Sequence, residues 1–302
     1  MVAQQPKGIA EGIYFNLPND DYHNDPALSH SGMTKLLVSW PDYWVSSCLN
    51  PLRKKWKTTP AMEFGQRSGM LLLQPKVFHE TYNTYGKSRS DAKGAWLSSV
   101  EWNELNESVE GIMEVEIARQ HFVDGYPEVS IFWRDPETSI MLRARVDYLR
   151  TFGCIDFKRI KEVNNNEIGR AVKNQGLDIQ NFHYLEAVKA ARRMLKRMTP
   201  EQLTAMAKAQ KVKEDWLIAF RDDTDLLFRF LFQRSTSPYI WEFRELESEV
   251  LLEGAHAVYA ALKRYKSGLE RFGIGKPPLG HHTVRTISQY HVPRRDYDYG
   301  EE

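Results

Sequence analysis

Two acids and a lysine on consecutive predicted strands are the residues of this chain with the clearest chemical potential. Asp147 ends one strand-like segment, and Asp156 and Lys158 follow a short turn at residues 151–153. Because side chains alternate along a strand, Asp156 and Lys158 point to the same face. An apolar strand rarely buries an acid and a lysine unless they pair or hold a metal. Two carboxylates beside an ammonium therefore indicate a divalent-metal site of the kind that hydrolyses phosphodiesters.

Three further residues lie close to this unit in the sequence pattern. Glu128 stands at the start of the preceding strand, and Gln180 and Tyr184 are one turn apart on the next predicted helix, so they share a face. In a nuclease, the acids would bind Mg2+, with Mn2+ as a substitute. Lys158 would stabilise the developing charge. Gln180 and Tyr184 would hold the substrate or the attacking water without adding charge.

The same residues also fit a purely structural interpretation. Asp147 and Asp156 could pair with Arg143, Arg145 or Lys158 in an ordinary cross-strand ion-pair network. An acid at a strand start is often a surface residue, and a glutamine and a tyrosine are common on helices. Spacing alone leaves both interpretations open.

Composition narrows the class of protein. With 302 residues and 42% hydrophobic content, the chain can form one large domain with ample core. No apolar run approaches the roughly 20 residues of a membrane helix, and the N-terminus lacks the apolar core of a signal peptide. We therefore expect a cytoplasmic protein that does not bind membranes. Two cysteines cannot form a zinc site, and Cys154 is expected to be a small buried side chain.

The net charge of +1 means that any DNA-binding surface must be local. Basic residues cluster around the acids and in a segment that contains a tryptophan. We predict DNA contacts from these two clusters, although a charge run can also be a solvated face. The predicted contacts are Arg143, Arg145, Arg53, Lys54 and Lys55.

Hydrophobic periodicity and capping residues predict the order of the elements. Helices are predicted from Ser29 or Ser31 to a break at Pro41, and over 61–73, 99–119, 177–198 and 247–272. Strands are predicted over 129–133, 140–149, 154–160, 226–232 and 239–243. This order predicts an α/β (α+β) fold with a central mixed sheet flanked by helices. We expect an N-terminal extension (1–20), a single domain (21–275) with a helical insertion at about 199–225, and a C-terminal tail (276–302).

Several motifs occur in an order that is similar to one known family. They are Tyr22–Met33, Phe64–Gly65, Leu73–Pro75, Glu128–Thr138, Arg143–Asp147, Ile155–Lys158 and Gln180–Tyr184. In these motifs the chain resembles the RecE-like phage exonucleases (the C-terminal domain of exodeoxyribonuclease VIII) of the PDDEXK nuclease superfamily. The resemblance covers about residues 21–198 well and residues 226–272 more loosely.

The resemblance implies a PDDEXK, restriction-endonuclease-like fold and a Mg2+-dependent exonuclease. Such enzymes digest linear double-stranded DNA from 5′ to 3′ and expose 3′ single strands for phage-type recombination. They are usually ring-shaped homo-oligomers that work with a single-strand annealing recombinase. By the same resemblance, Asp147 and Asp156 match the metal-binding acids and Lys158 the catalytic lysine. Glu128, which we add to the metal ligands, matches an acid before the first strand, and Gln180 and Tyr184 match the helix motif.

One departure from the family pattern affects the predicted activity. In the family, the segment that begins with Phe-Gly ends in a histidine that contributes to metal binding, whereas this chain has Gly69 at that position. We therefore keep an alternative, a catalytically weakened or inactive protein that binds DNA ends or a partner. An endonuclease of the same superfamily is a third interpretation. The retained acids and lysine favour activity, because buried charges without a function are readily lost.

Overall fold

The computed structural model describes residues 5–54, 57–83 and 94–275. The predictions that fall on Lys55 and on the tail 276–302 lie outside these residues. Within the described ranges, none of the helices combines the length and the apolar composition that crossing a bilayer requires.

The core of the fold is a six-stranded sheet. Its strands are β1 (Gly12–Tyr14), β4 (Tyr126–Arg134), β5 (Met141–Arg150), β6 (Gly153–Ile160), β7 (Leu227–Arg234) and β8 (Trp241–Arg244), paired in the order β1-β4-β5-β6-β7-β8. β6 and β7 are parallel, and the other neighbours are antiparallel. Two short strands, β2 (Tyr82–Asn83) and β3 (Ala95–Trp96), pair separately. The predicted mixed sheet is confirmed, including the antiparallel meander that carries the acids.

Helices cover both faces of this sheet. They are α1 (Asn19–Asn24), α2 (His30–Val38), α3 (Trp40–Ser46), α4 (Pro60–Leu73), α5 (Pro75–Thr81), α6 (Ser99–Met113), α7 (Glu116–His121), α8 (Asn165–Gln175), α9 (Leu177–Lys196), α10 (Pro200–Gln210), α11 (Glu214–Asp222) and α12 (Ser248–Phe272). Along β7, Phe228, Phe230 and Phe232 join the core formed with α9 and α12. Leu231, between them, joins a second cluster with α4, α6 and α7. Because neighbouring strand residues face opposite ways, the two helix groups lie on opposite faces.

The structure refines several predicted boundaries. Ser29 caps α2 by accepting a hydrogen bond from the Gly32 N–H. The break before α3 lies at Ser39 rather than at Pro41, because Ser39 caps α3 and Pro41 fits in its first turn, where no N–H is needed. The predicted helix over 99–119 is two helices, α6 and α7.

Two segments that we set apart in the sequence belong to the main fold. β1, within the predicted N-terminal extension, pairs with β4 and forms one edge of the sheet. The predicted insertion forms α10 and α11, and Trp216, Leu217 and Phe220 of α11 are buried in the main core. Cys154 is fully buried, as predicted, and is a free cysteine.

Candidate active site

Asp156 and Lys158 occupy the central strand β6. Asp156 is 1% exposed, and its Oδ2 forms an ion pair with Nζ of Lys158 and no other bond to a residue that the structure describes. Its other oxygen, Oδ1, accepts a hydrogen bond of 2.6 Å from Nε2 of Gln180 on α9. The amide of Gln180 therefore fixes the orientation of the Asp156 carboxylate, and Oδ2 remains turned toward the lysine.

Asp147 lies where β5 and β6 separate. The pairing of these strands runs from Arg150 and Gly153 to Tyr148 and Ile155 and stops before the acids. Asp147 Oδ2 then accepts a hydrogen bond of 2.9 Å from the backbone N–H of Phe157. The carboxylate thus replaces the missing strand-to-strand bond and lies beside the residue that follows Asp156.

Glu128 lies at the same level on the next strand. The β4–β5 pairing places Pro127 opposite Tyr148 and Val129 opposite Val146, so Glu128 lies between these pairs, at the level of Asp147. Its φ of 52° is in the left-handed region, which is unusual for a residue with a side chain. The structure therefore places Glu128, Asp147 and Asp156 in a row across three adjacent strands.

The charges of this row influence one another. Burial raises the pKa of Asp147 well above its usual range, and Asp156 raises it further, while Lys158 opposes the increase. Partial burial also raises the pKa of Glu128, with Arg145 lowering it and Asp156 raising it. For Lys158, burial lowers the pKa, but the negative fields of Asp156 and Asp147 outweigh burial and leave it raised. Lys158 is therefore an ammonium near neutral pH, and the acids repel one another.

Tyr184 completes the buried part of the site. It lies one turn after Gln180 on α9, and its burial raises the pKa of its hydroxyl well above the usual value, with Tyr22, Asp156 and Asp147 adding to the shift. The hydroxyl therefore stays protonated and can donate a hydrogen bond. The structure thus brings together the predicted set of Asp147, Asp156, Lys158, Gln180 and Tyr184.

The residues of the row fit a hard divalent cation. Oxygen atoms are the ligands that Mg2+ prefers, and Asp156 Oδ2 has only the lysine as a partner. A cation would also relieve the repulsion among the acids. Among the described residues, no group of three His, Cys, Asp or Glu side chains forms a metal site by itself. The two central acids would therefore share the ion with water, which Mg2+ commonly retains.

The buried acids can be reached from solvent. The side chain of Lys158 is 21% exposed and that of Glu128 is 46% exposed. A cleft of about 560 Å³ opens beside Glu128. Its walls come from residues 15–17, from the segment 73–77 that contains Lys76, and from Gln210 and Lys211. Of the three acids in the row, Glu128 is the one that lines this cleft, so its exposed side is open to a substrate.

Of the predicted DNA-contacting residues that the structure describes, the arginines bind other parts of the protein and the lysine is exposed. Arg143 is buried, donates to the Tyr22 carbonyl and packs over the Tyr22 ring. Arg145 donates to Ser130, Asn19 and the Leu17 carbonyl. Because both guanidiniums hold the N-terminal segment against the sheet, we leave these two out of the DNA surface proposed below. The guanidinium of Arg53 donates a hydrogen bond to the side-chain oxygen of Asn24. Lys54 is exposed to solvent.

Arg159 belongs to the basic cluster around the acids but was not among the predicted DNA contacts, and the structure gives it aromatic partners. The guanidinium of Arg159 lies 4.3 Å from the centre of the Phe64 ring and 5.5 Å from that of Tyr239. The two rings are nearly parallel, with centroids 6.3 Å apart. Arg159 also donates to Ser68 Oγ at 2.9 Å. The only sequence signal was its position directly after Lys158, and the aromatic partners come from distant segments.

Gly69 lies against the side chain of Phe157, a residue of the strand that carries Asp156 and Lys158. A Cβ atom added at this position would lie 3.6 Å from Phe157 Cδ1, an ordinary van der Waals distance. Phe157 stands between Asp156 and Lys158, and its N–H binds Asp147. Position 69 therefore has room for a side chain next to the strand that carries the predicted ligands.

We expect Gly69→His to raise the affinity for Mn2+ by about tenfold, which corresponds to about 1.4 kcal/mol. The added imidazole would provide a further ligand at the position where the RecE-like family has one. Calorimetric titration with Mn2+ measures the change. Gly65→His is the matched control, because Gly65 lies one turn earlier and its added Cβ would approach Arg159 instead. Equal affinities of the two variants would contradict the placement of position 69.

His183 is a buried histidine of α9 that packs against β5. It is 1% exposed, and its Nε2 bonds to the Arg143 carbonyl at 2.9 Å. Its Nδ1 has no partner in the part of the chain that the structure describes. Since a carbonyl accepts, Nε2 carries the hydrogen. Burial lowers the pKa of this imidazole to about 4. His183 is therefore neutral in the folded protein.

The buried imidazole predicts a loss of stability in acid. Between pH 6.5 and about 4 the unfolded chain binds a proton that folded His183 does not, so stability falls as the pH falls through this window. We expect a contribution of roughly 2 kcal/mol to the drop in unfolding free energy between pH 7 and pH 5. Urea unfolding at both pH values measures it. His183→Gln should remove this part of the drop, and His256→Asn, on the exposed face of α12, should retain it. A drop that is unchanged in His183→Gln would contradict the assignment.

Comparisons with known proteins agree with this geometry. A family model described as "PDDEXK-like domain of unknown function (DUF3799)" matches residues 45–226, more than half of the chain. A crystal structure from Eubacterium rectale, named "Putative exonuclease", is similar in fold with a TM-score of 0.52. The match covers 84% of this chain and 87% of that chain, at 14% sequence identity. The comparison with curated proteins gave no match.

Proposed function

Because the chain belongs to the PDDEXK-like family DUF3799, we propose that it is a metal-dependent deoxyribonuclease that digests linear double-stranded DNA from its ends. One observation carries this proposal: Glu128, Asp147 and Asp156 form a row across three strands where β5 and β6 separate. Lys158 lies against the last of these acids. The fold similarity to a protein named an exonuclease supports the same class of reaction.

The roles of the side chains follow from their contacts. Asp147 and Asp156 would hold Mg2+, with Glu128 at the open side. Bound Mg2+ would polarise the scissile phosphate and lower the pKa of the attacking water. Gln180 keeps Asp156 oriented through its 2.6 Å hydrogen bond. The ammonium of Lys158 faces the same pocket and can stabilise the charge that develops on the phosphate.

The surroundings favour a polyanionic substrate with exposed bases. Lys76 and Lys211 line the cleft beside Glu128 and can contact phosphates. Arg159, Phe64 and Tyr239 offer a cation and aromatic rings next to the strand of Lys158. Aromatic rings beside arginine are suited to stacking with unpaired bases. We assign this group to the contact with a DNA end.

The finer parts of the proposal rest on the resemblance to RecE-like exonucleases. They are digestion from 5′ to 3′, production of 3′ single strands for phage-type recombination, a ring-shaped homo-oligomer and an annealing recombinase as partner. A cytoplasmic location, in a bacterium or a phage-infected host, is part of the same proposal.

The test compares two DNA substrates in the presence of Mg2+. Linear duplex should be digested, the same plasmid as a closed circle should persist, and Asp156→Ala protein should leave both intact. A label on the 5′ or the 3′ end distinguishes the direction of digestion. Cutting of the closed circle would establish an endonuclease instead. Equal digestion by wild type and Asp156→Ala would contradict the assignment of the site.

Gly69 favours a second candidate, a protein that binds DNA ends and cleaves them weakly or not at all. Glycine offers no side-chain ligand atom at the position where the RecE-like family has a histidine. In this case wild-type protein would retard end-bearing DNA in a binding assay without degrading it, and Gly69→His would gain nuclease activity. Full activity of the wild-type protein would exclude this candidate.

A further inference from the structure

The turn between α10 and α11 carries a lysine in an unusual backbone conformation. Lys211 ends α10 with a φ of 57° and a ψ of 43°, in the left-handed region that residues with a side chain rarely adopt. Glycine is the usual residue at this point of a helix end, because a Cβ atom is strained there. The chain therefore keeps a lysine at a position whose backbone favours glycine.

The cleft beside Glu128 is lined by two residues in this conformation. Lys211 lines the cleft, which has a volume of about 560 Å³, and Glu128 itself has a φ of 52°. Among the residues that the structure describes, only two other non-glycine residues have a positive φ, Asp124 and Ser139. Half of these strained positions therefore line one cleft. Because strained backbone positions cluster at ligand-binding surfaces, we interpret Lys211 as part of such a surface.

The charges along this cleft suit a polyanion. Of the described residues that line it, Glu128, Lys76 and Lys211 are the charged ones, so cations outnumber acids. Both lysines are exposed. Each carries its ammonium on a flexible four-carbon stem, which can reach an anionic group inside the cleft. The phosphates of a nucleic acid strand are groups of this kind.

The turn is fixed on both sides of its lysine. On one side, the side-chain oxygen of Gln210 accepts a hydrogen bond of 3.0 Å from the N–H of Phe15. On the other side, the N–H of Lys213 donates to the hydroxyl of Tyr126 at 2.9 Å. Tyr126 begins β4, the strand that carries Glu128. The turn is therefore held against the strand of the outermost acid, which sets the position of the lysine relative to the site.

We propose that Lys211 is a DNA-positioning residue that contacts a backbone phosphate of the strand lying in the cleft beside Glu128. This role rests on the proposed function, because the cleft adjoins the acids that would hold the metal. The contacted phosphate is not the one that is cleaved, so the contact strengthens DNA binding equally before and during the chemical step. The contact is also independent of base sequence, as phosphate contacts are.

DNA binding in EDTA tests the contact without requiring cleavage. At about 0.1 M salt, Lys211→Gln should bind linear duplex about fivefold more weakly than wild type, and the slope of log affinity against log salt should decrease by about one. Lys211→Arg retains the charge and should restore most of the affinity. Lys208→Gln is the matched control, because it removes the same charge from an exposed position of α10 that does not line the cleft. Fluorescence anisotropy measures all four affinities.

Lys211→Gly separates the contact with DNA from any effect on folding. Glycine fits the left-handed conformation, so the Tm should rise by about 1–3 °C. DNA affinity should nevertheless fall as far as in Lys211→Gln. In steady-state digestion, KM should rise about fivefold with kcat within about twofold of the wild-type value, because the contact acts on binding alone. A residue with a purely structural role would change stability and DNA binding in the same direction.

Three results would overturn the proposal. Unchanged DNA affinity in Lys211→Gln would show that the lysine makes no contact. Equal losses in Lys211→Gln and Lys208→Gln would assign the effect to net charge. A lower Tm of Lys211→Gly would show that the lysine is kept for folding. A wild-type protein that lacks nuclease activity, but whose DNA binding still depends on Lys211 and not on Lys208, would contradict the proposed nuclease and support this contact.

Discussion

Replacing Lys158 with alanine is expected to lower DNA turnover by about 10²- to 10³-fold while Mn2+ binding is retained. The ammonium is raised in pKa by Asp156 and Asp147, so it is charged in the working protein and can stabilise a developing negative charge. Removing one such group from an active site typically has an effect of this size. Lys158 is a cation, so it competes with a metal for Asp156 and does not bind one. Its loss should therefore leave metal affinity equal or slightly higher.

Asp156→Ala should lower both DNA turnover and Mn2+ affinity, unlike Lys158→Ala. It removes both the Gln180 hydrogen bond and a predicted metal ligand, so turnover and Mn2+ affinity should fall together. We expect the affinity loss to reach at least the tenfold to hundredfold range that changes around metal ligands cause. Steady-state digestion of linear duplex and calorimetric Mn2+ titration measure the two quantities on the same samples.

Lys161→Ala is the control for Lys158→Ala. Lys161 is exposed and follows the same strand, so its removal changes the net charge equally without touching the acids. Turnover near the wild-type value is expected for this variant. If Lys158→Ala instead lost Mn2+ binding and Asp156→Ala kept it, the roles that we assign to the two residues would be reversed.

The sequence predicted the central strands and the site on them because strong local signals coincide there. β4, β5 and β6 are apolar runs separated by clear turns, and their acids stand out against that pattern. Gln180 and Tyr184 were found because they lie one turn apart on the long helix α9. The structure adds the contact that joins them, the bond from Gln180 to Asp156.

The features that were missed depend on tertiary contacts. β1 has three residues and forms a strand because β4 offers it an open edge. α8 is polar, and its signals, Asn164 at the start and Gly176 in a left-handed conformation at the end, are single residues. Arg143 and Arg145 had the charge of DNA contacts, but the N-terminal segment occupies both. Charge can be read from a sequence, whereas its partners require the fold.

Gly153→Ala should be among the most destabilising single substitutions in the domain. Gly153 begins β6 with a φ of 145°, a conformation that residues with a side chain rarely adopt. A Cβ atom there would also lie 1.9 Å from the Leu227 carbonyl oxygen on β7, so two strands would have to separate. We expect the free energy of unfolding to fall by about 3 kcal/mol or more, because backbone strain and a core displacement act together.

Urea unfolding measures this loss, and Gly169→Ala is the matched control. Gly169 lies inside α8 with no atom near an added Cβ, so alanine there should raise stability by about 0.5–1 kcal/mol. Stability changes of opposite sign for the same chemical change would show that backbone geometry at Gly153, rather than glycine loss itself, is responsible. Two variants that shift together would contradict this.

The position of Gly153 connects this stability effect to the site. The β6–β7 register that begins with Gly153 opposite Leu227 continues to Asp156 opposite Phe230 and Lys158 opposite Phe232. The pairing with β5 begins at the same glycine and ends just before Asp147 and Asp156 meet. Displacing the start of β6 therefore shifts both acids relative to each other. At low temperature, where Gly153→Ala protein remains partly folded, Mn2+ affinity per folded molecule should fall as well, although no ligand has been changed.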